Sequence, residues 1–131
     1  MARRQKIVFT DGICWFRDPA QGLEIKLEPL MWRSEWRVSA LCALLKIAPR
    51  TFNRLVEEGL GTSGSQWLRE YRIVAASYLL REGVKMEALA VRLGFSNNAN
   101  FTREFRKLIG VSPSEFLRQE RLREERYLAG K

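Results

Sequence analysis

Apolar positions change their period along this chain. Residues 7 to 16, IVFT-DG-ICWF, form two β-rich runs joined by Asp11-Gly12, the strongest two-residue hairpin signal. The next segment, LEIKLE, alternates Leu23, Ile25 and Leu27 with Glu24, Lys26 and Glu28, the period of a half-buried strand. From about Trp32 onward the period becomes helical and stays so. The pattern predicts a mainly α fold with a small N-terminal β-hairpin or three-stranded appendage. So few strands are marginal in isolation, so the appendage is expected to dock on the helical part or on a second copy of itself.

The helical part is an internal repeat. Residues 52–72, FNRLVEEGLGTSGSQWLREYR, lie over residues 101–121, FTREFRKLIGVSPSEFLRQER, with Phe52/Phe101, Arg54/Arg103, Gly61/Gly110, Ser63/Ser112, Leu68/Leu117 and Arg72/Arg121 in register. Upstream, LCALLKIAP lies over LAVRLGFSN, and the second copy carries one extra residue where its next helix starts. Ser63 with Gln66 and Ser112 with Glu115 read as capping boxes, with Pro113 at the first helical position. Gly61 and Gly110 stand where a preceding helix ends in a left-handed residue. A shorter helix comes first in each copy, Ser39 to Lys46 and Met86 to Leu93; in the second, Gly94 makes the turn and Ser96 caps the next helix. Each copy is therefore helix, short turn, helix. The expected boundaries are residues 1–32 for the β appendage and 33–131 for the helical domain. Within the latter, the first helix-turn-helix covers about 38–61, a linker helix about 63–82, the second helix-turn-helix about 86–110 and a C-terminal helix about 112–127.

In the second copy Phe101, Phe105 and Leu108 share one helical face, so Asn98, Thr102, Arg103 and Arg106 must point elsewhere. Composition says toward what. The chain has 131 residues, enough for one domain with a small appendage, and 23 Lys and Arg against 15 Asp and Glu give a net charge of +8. That balance favours polyanions, nucleic acid or an acidic membrane surface. Histidine is absent, which removes the commonest general base and metal ligand. Cys14 and Cys42 form neither a CxxC pair nor a zinc set, so both read as reduced cysteines and Cys42 as a small buried hydrophobe. No catalytic group, metal or cofactor is expected. MARRQK has the look of a signal's basic start, but the apolar run behind it stops at Thr10-Asp11-Gly12, and no segment has the ~18 apolar residues of a membrane span.

The stretch ALAVRLGFSNNANFTREFRKLIGVSPSEFLR resembles the C-terminal signature of the AraC/XylS family of bacterial transcription regulators. Gly94-Phe95-Ser96, Phe101 with Arg103, Phe105 and Gly110-Val111-Ser112-Pro113 carry the likeness, which covers roughly residues 36–121. It implies two helix-turn-helix units joined by a long helix, here about Ser65 to Arg81, each placing a recognition helix in a major groove. Carried over by position, the second helix offers Asn98, Asn100, Thr102 and Arg103 to base edges, and Arg106 and Lys107 to phosphates; the first offers Arg50, Thr51, Asn53 and Arg54. Arg103 suits guanine and Asn98 adenine, because each answers a base edge with two hydrogen bonds. The helix starts at Pro49 and Asn97 can present backbone amides to phosphates. Bland readings stand beside these: Arg103 and Arg54 as structural arginines, Asn97 as a cap, Thr102 as packing. The first copy departs from the family pattern, with Ala48 at the usual capping serine, Val56 for the usual phenylalanine and Glu57-Glu58 for a commonly basic pair.

The leading reading is a cytoplasmic, nucleoid-associated regulator of transcription that binds double-stranded DNA, an activator if the resemblance extends to recruitment of RNA polymerase. Two recognition helices imply half-sites about 10 base pairs apart. Only about 32 residues precede the module, too few for a sensor domain, so control by abundance or by a partner is expected. The alternative is an interaction module in which residues 7–28 form a homodimer or dock a partner, with DNA binding secondary. A DNA-repair fusion lacks its metal-binding cysteines here.

Overall fold

The computed structural model describes residues 4–130, in two compact units that divide between Arg69 and Glu70, within one continuous helix. The first unit opens with an antiparallel sheet in the order β1-β2-β3: β1 Lys6–Thr10, β2 Ile13–Asp18 and β3 Leu23–Lys26. Asp11 (φ 54°) and Gly12 (φ 77°) both take the left-handed backbone that a two-residue hairpin turn requires. Ile7, Phe16 and Ile25 lie side by side across the three strands, and Ile7 and Phe16 are buried. At the end of β2 the buried Asp18 carboxylate accepts hydrogen bonds from the Gln5 (3.0 Å) and Gln21 (2.7 Å) amides. The Gln5 bond, with the others, holds its pKa below the usual carboxylate value.

The third strand is shorter than its alternation predicts. Pairing stops at Lys26, opposite Trp15, and Leu27 begins α1, Leu27–Arg33. Leu27 and Met31, one helical turn apart, are both fully buried, whereas Leu23 at the start of the strand is 40% exposed. The apolar residue that completed the strand pattern is thus the first of a helical pair, and the helical region starts ahead of Trp32. Pro29 in the first turn donates no hydrogen bond where none is needed.

The first helix-turn-helix is α2, Val38–Leu45, and α3, Pro49–Leu60. Lys46 ends α2 in the left-handed region (φ 60°, ψ 40°), the place taken in the second copy by Gly94 (φ 77°). A side chain there carries about 1–2 kcal/mol of strain. Glycine removes it but orders a freer chain, at about 0.5–1 kcal/mol. Lys46→Gly should therefore stabilise the protein by about 0.5–1 kcal/mol, read as a higher denaturant midpoint at unchanged slope. No side chain caps α3; Ala48 precedes it and Pro49 supplies the preset first turn.

The edge strand β1 lies against α3. Gly59 is what lets it approach: a β-carbon added there would sit 1.8 Å from the backbone oxygen of Ile7. At the other end of the unit, α4 (Gly64–Arg81) starts under a Ser63 cap, whose Oγ accepts the Gln66 amide at 3.1 Å.

The second unit holds the rest of α4, α5 (Met86–Arg92), α6 (Asn98–Ile109) and α7 (Pro113–Ala129). Its core is a chain of rings: Phe95 to Phe101 at 5.3 Å, Phe101 to Phe105 at 5.8 Å and Phe105 to Phe116 at 5.5 Å between centroids. Leu108 does not join them. The ring contacts end where Phe116 meets Phe105, and Leu108, a turn further along, is 42% exposed. At the start of α7, Ser112 Oγ accepts the Glu115 amide at 3.2 Å; the Glu115 carboxylate is held by Arg118 at 2.6 and 2.8 Å, which lowers its pKa and raises that of Arg118.

Candidate nucleic-acid interface

α6 begins at a side-chain network rather than at a single serine. Asn97, not Ser96, is the capping residue, with its Oδ1 accepting the Asn100 amide at 2.8 Å. The Asn100 side-chain amide in turn donates to Ser96 Oγ. An asparagine reaches the third amide of the helix as readily as a serine, and with Asn97 and Asn98 adjacent the sequence left the choice open by one position. Asn97 and Asn100 are thus engaged in starting the helix, while Asn98 is exposed and lies clear of that network.

Beyond the cap, one face of α6 is open to solvent. Asn98, Ala99, Thr102, Arg103, Arg106 and Lys107 line a single shallow concavity. Three of these six are cations and none is an acid. Arg103, Arg106 and Lys107 are exposed, and none of them forms an ion pair among the described residues. The arginine that serves the fold is a different one. Arg72 of α4 lies 3.8 Å over the Phe95 ring and donates from Nη1 to the Leu93 carbonyl oxygen at 3.3 Å, holding the turn of the second helix-turn-helix. In the sequence Arg72 is only one member of a repeated pair; nothing in its spacing separates a ring contact from a solvated charge.

α3 presents a weaker version of the same face. Arg50 and Arg54 are exposed and Thr51 is half-buried. Asn53 is committed within its own unit: its Oδ1 accepts the Gly64 amide at 2.8 Å, bridging α3 to the start of α4. Gly64 is packed so closely that a β-carbon would lie 2.5 Å from Asn53 Oδ1 and 2.7 Å from the Phe52 ring. Arg54 pairs with Glu58 one turn on, at 3.7 Å, and Glu58 also takes Arg4 at 3.1 Å. Where α6 carries Arg106 and Lys107, α3 carries Glu57 and Glu58, so the two helices differ in charge far more than in shape.

Neither cysteine is poised to react. Burial, and then the charge of Glu28, push the Cys14 thiol up to about 11, and burial raises Cys42 as well, so neither is a ready thiolate. Among the described residues no three His, Cys, Asp or Glu side chains are placed to hold a metal ion, and no helix is long and apolar enough to cross a membrane.

Two helix-turn-helix units, each with a solvent-facing second helix, define the DNA-binding class of protein. The profile of a helix-turn-helix domain family matches residues 41–119. The transcriptional activator RhaR of Cronobacter sakazakii is 34% identical over 79 residues, which are 60% of this chain and 28% of RhaR. Among solved structures, the DNA-binding domain of the global transcriptional factor AdpA, in complex with a target DNA, superposes with a TM-score of 0.62 at 26% identity, over 74% of this chain and 91% of that one. A DNA-binding transcriptional dual regulator from Escherichia coli K-12 gives 0.59 at 25% identity, over 70% of this chain and 85% of that one. The chain belongs to the AraC-type helix-turn-helix family of DNA-binding transcription regulators. It spans less than a third of the curated relatives it matches first.

Proposed function

We propose that this protein reads double-stranded DNA sequence-specifically, with α6 as its principal recognition helix and α3 as a weaker second one in a successive major groove. The observation that carries the reading is the α6 face, where Asn98, Thr102, Arg103, Arg106 and Lys107 converge on one open concavity that no acidic residue lines. Arg103 addresses a guanine and Asn98 an adenine; Thr102 contacts a base edge or a thymine methyl; Arg106 and Lys107 hold phosphates. On α3, Arg50 supplies the main contact, supported by Thr51, while Arg54 is shared with Glu58 and contributes less, and Asn53 trades base reading for its bridge to Gly64. The amides at Pro49's and Asn97's helix starts add phosphate contacts. Its place of work is the bacterial nucleoid, and its action is activation through RNA polymerase, in keeping with the activator RhaR among its relatives.

A hydroxyl-radical footprint on a selected duplex tests the two-helix reading. Protection should fall in two segments about one helical turn apart on one face of the DNA, the stronger under α6. A single protected segment would mean that α3 reads nothing.

A further inference from the structure

We infer that Glu58 is an electrostatic brake on the first recognition helix: it holds Arg54 of α3 and Arg4 of the docked N-terminal segment, and its removal turns both guanidiniums into ligands for DNA phosphates. The inference rests on the reading of α3 as DNA-facing. Three observations carry it, all within the first unit.

Arg4 donates to both Glu58 carboxylate oxygens, at 3.1 and 3.3 Å, while Arg54 approaches Oε1 at 3.7 Å from one turn back along the helix. One carboxylate thus occupies two arginines, one on α3 itself and one on the N-terminal segment docked against it. The arrangement is also built in: β1 is seated on α3 by the contact of Ile7 with Gly59, one residue from Glu58, which fixes where Arg4 emerges. Arg4, Lys6, Leu55, Glu58 and Gly59 line a common hollow at that seam. Finally, the pairs are loose. Arg4, Arg54 and Glu58 side chains are each about half exposed (53, 51 and 49%), so water and salt compete for them and a phosphate can too.

The neighbouring Glu57 is the internal control. It carries the same charge on the same helix, is exposed, and forms no ion pair among the described residues. Removing either acid subtracts one negative charge near DNA; only Glu58 releases arginines. Each new phosphate contact steepens the dependence of log affinity on log salt by about 0.9.

The test is a double-mutant cycle on a selected duplex, measured from low to physiological salt in the full chain. Glu58→Gln should raise affinity several-fold at low salt and steepen the salt slope by about 1–2, against a smaller change for Glu57→Gln. Combined with Arg4→Ala and Arg54→Ala, the Glu58→Gln gain should fall to the Glu57→Gln level. Equal effects of the two glutamines, or a Glu58→Gln gain that survives loss of both arginines, would overturn the brake. Arg50→Ala, on α3 itself and outside the Glu58 pairs, separates this from the parent reading: if it weakens binding while Glu58→Gln is silent, only the brake fails; if it too is without effect, the DNA-facing assignment of α3 fails with it.

Discussion

Replacing Arg103 with alanine should lower affinity for a selected duplex by about five- to more than a hundredfold at fixed salt, the 1–3 kcal/mol carried by one bidentate arginine–guanine contact. The side chain is exposed on α6 and shares its concavity with Arg106 and Lys107, so nothing in the protein has to be broken to bring it to a base. Its counterpart on α3, Arg54, already leans on Glu58, so Arg54→Ala should cost less. Arg103→Lys separates charge from shape. Lysine keeps the point charge, so the salt dependence stays, but it lacks the planar fork, so discrimination at one base position relaxes. Equal losses from Arg54→Ala and Arg103→Ala would contradict the unequal roles given to the two helices.

The largest effect on stability belongs to Gly59→Ala. In an exposed helix interior that substitution ordinarily gains about 1 kcal/mol, since alanine is the best helix former. Here the new β-carbon meets the Ile7 backbone oxygen at 1.8 Å and its carbon at 3.0 Å, and no flexible side chain stands between to give way. β1 must lift off α3, and overpacking of this kind costs about 1–3 kcal/mol, enough to reverse the gain. A lower urea midpoint is expected, with faster exchange of the β1 amides. A more stable protein would mean that the strand does not press on the helix at Gly59.

How far these features could be read beforehand depended on whether they are local. The repeat, the glycine stops at Gly61 and Gly110, the serine starts at Ser63 and Ser112 and the Asp11-Gly12 turn are signals a few residues long, and the structure forms each of them. Features decided by packing were less legible. Leu27 fits a strand face and a helix face equally well, and only its burial with Met31 selects the helix. Leu108 keeps the period of a buried stripe but lies past the last ring that could cover it. Among the candidate contact residues, five of the α6 positions come together on one surface, which helical periodicity alone anticipates. The engagement of Asn53 with Gly64 and of Glu58 with Arg4 could not be anticipated, because both partners lie on other elements.

The most direct measurement is selection of bound sites from a random duplex pool at about physiological salt, run in parallel for the unaltered protein and Arg103→Ala. An asymmetric motif in two parts, one part strongly determined and relaxed by the substitution, is the predicted result. A motif that Arg103→Ala leaves unchanged would contradict α6 as the reader, and no enrichment at all would contradict sequence-specific recognition by this chain.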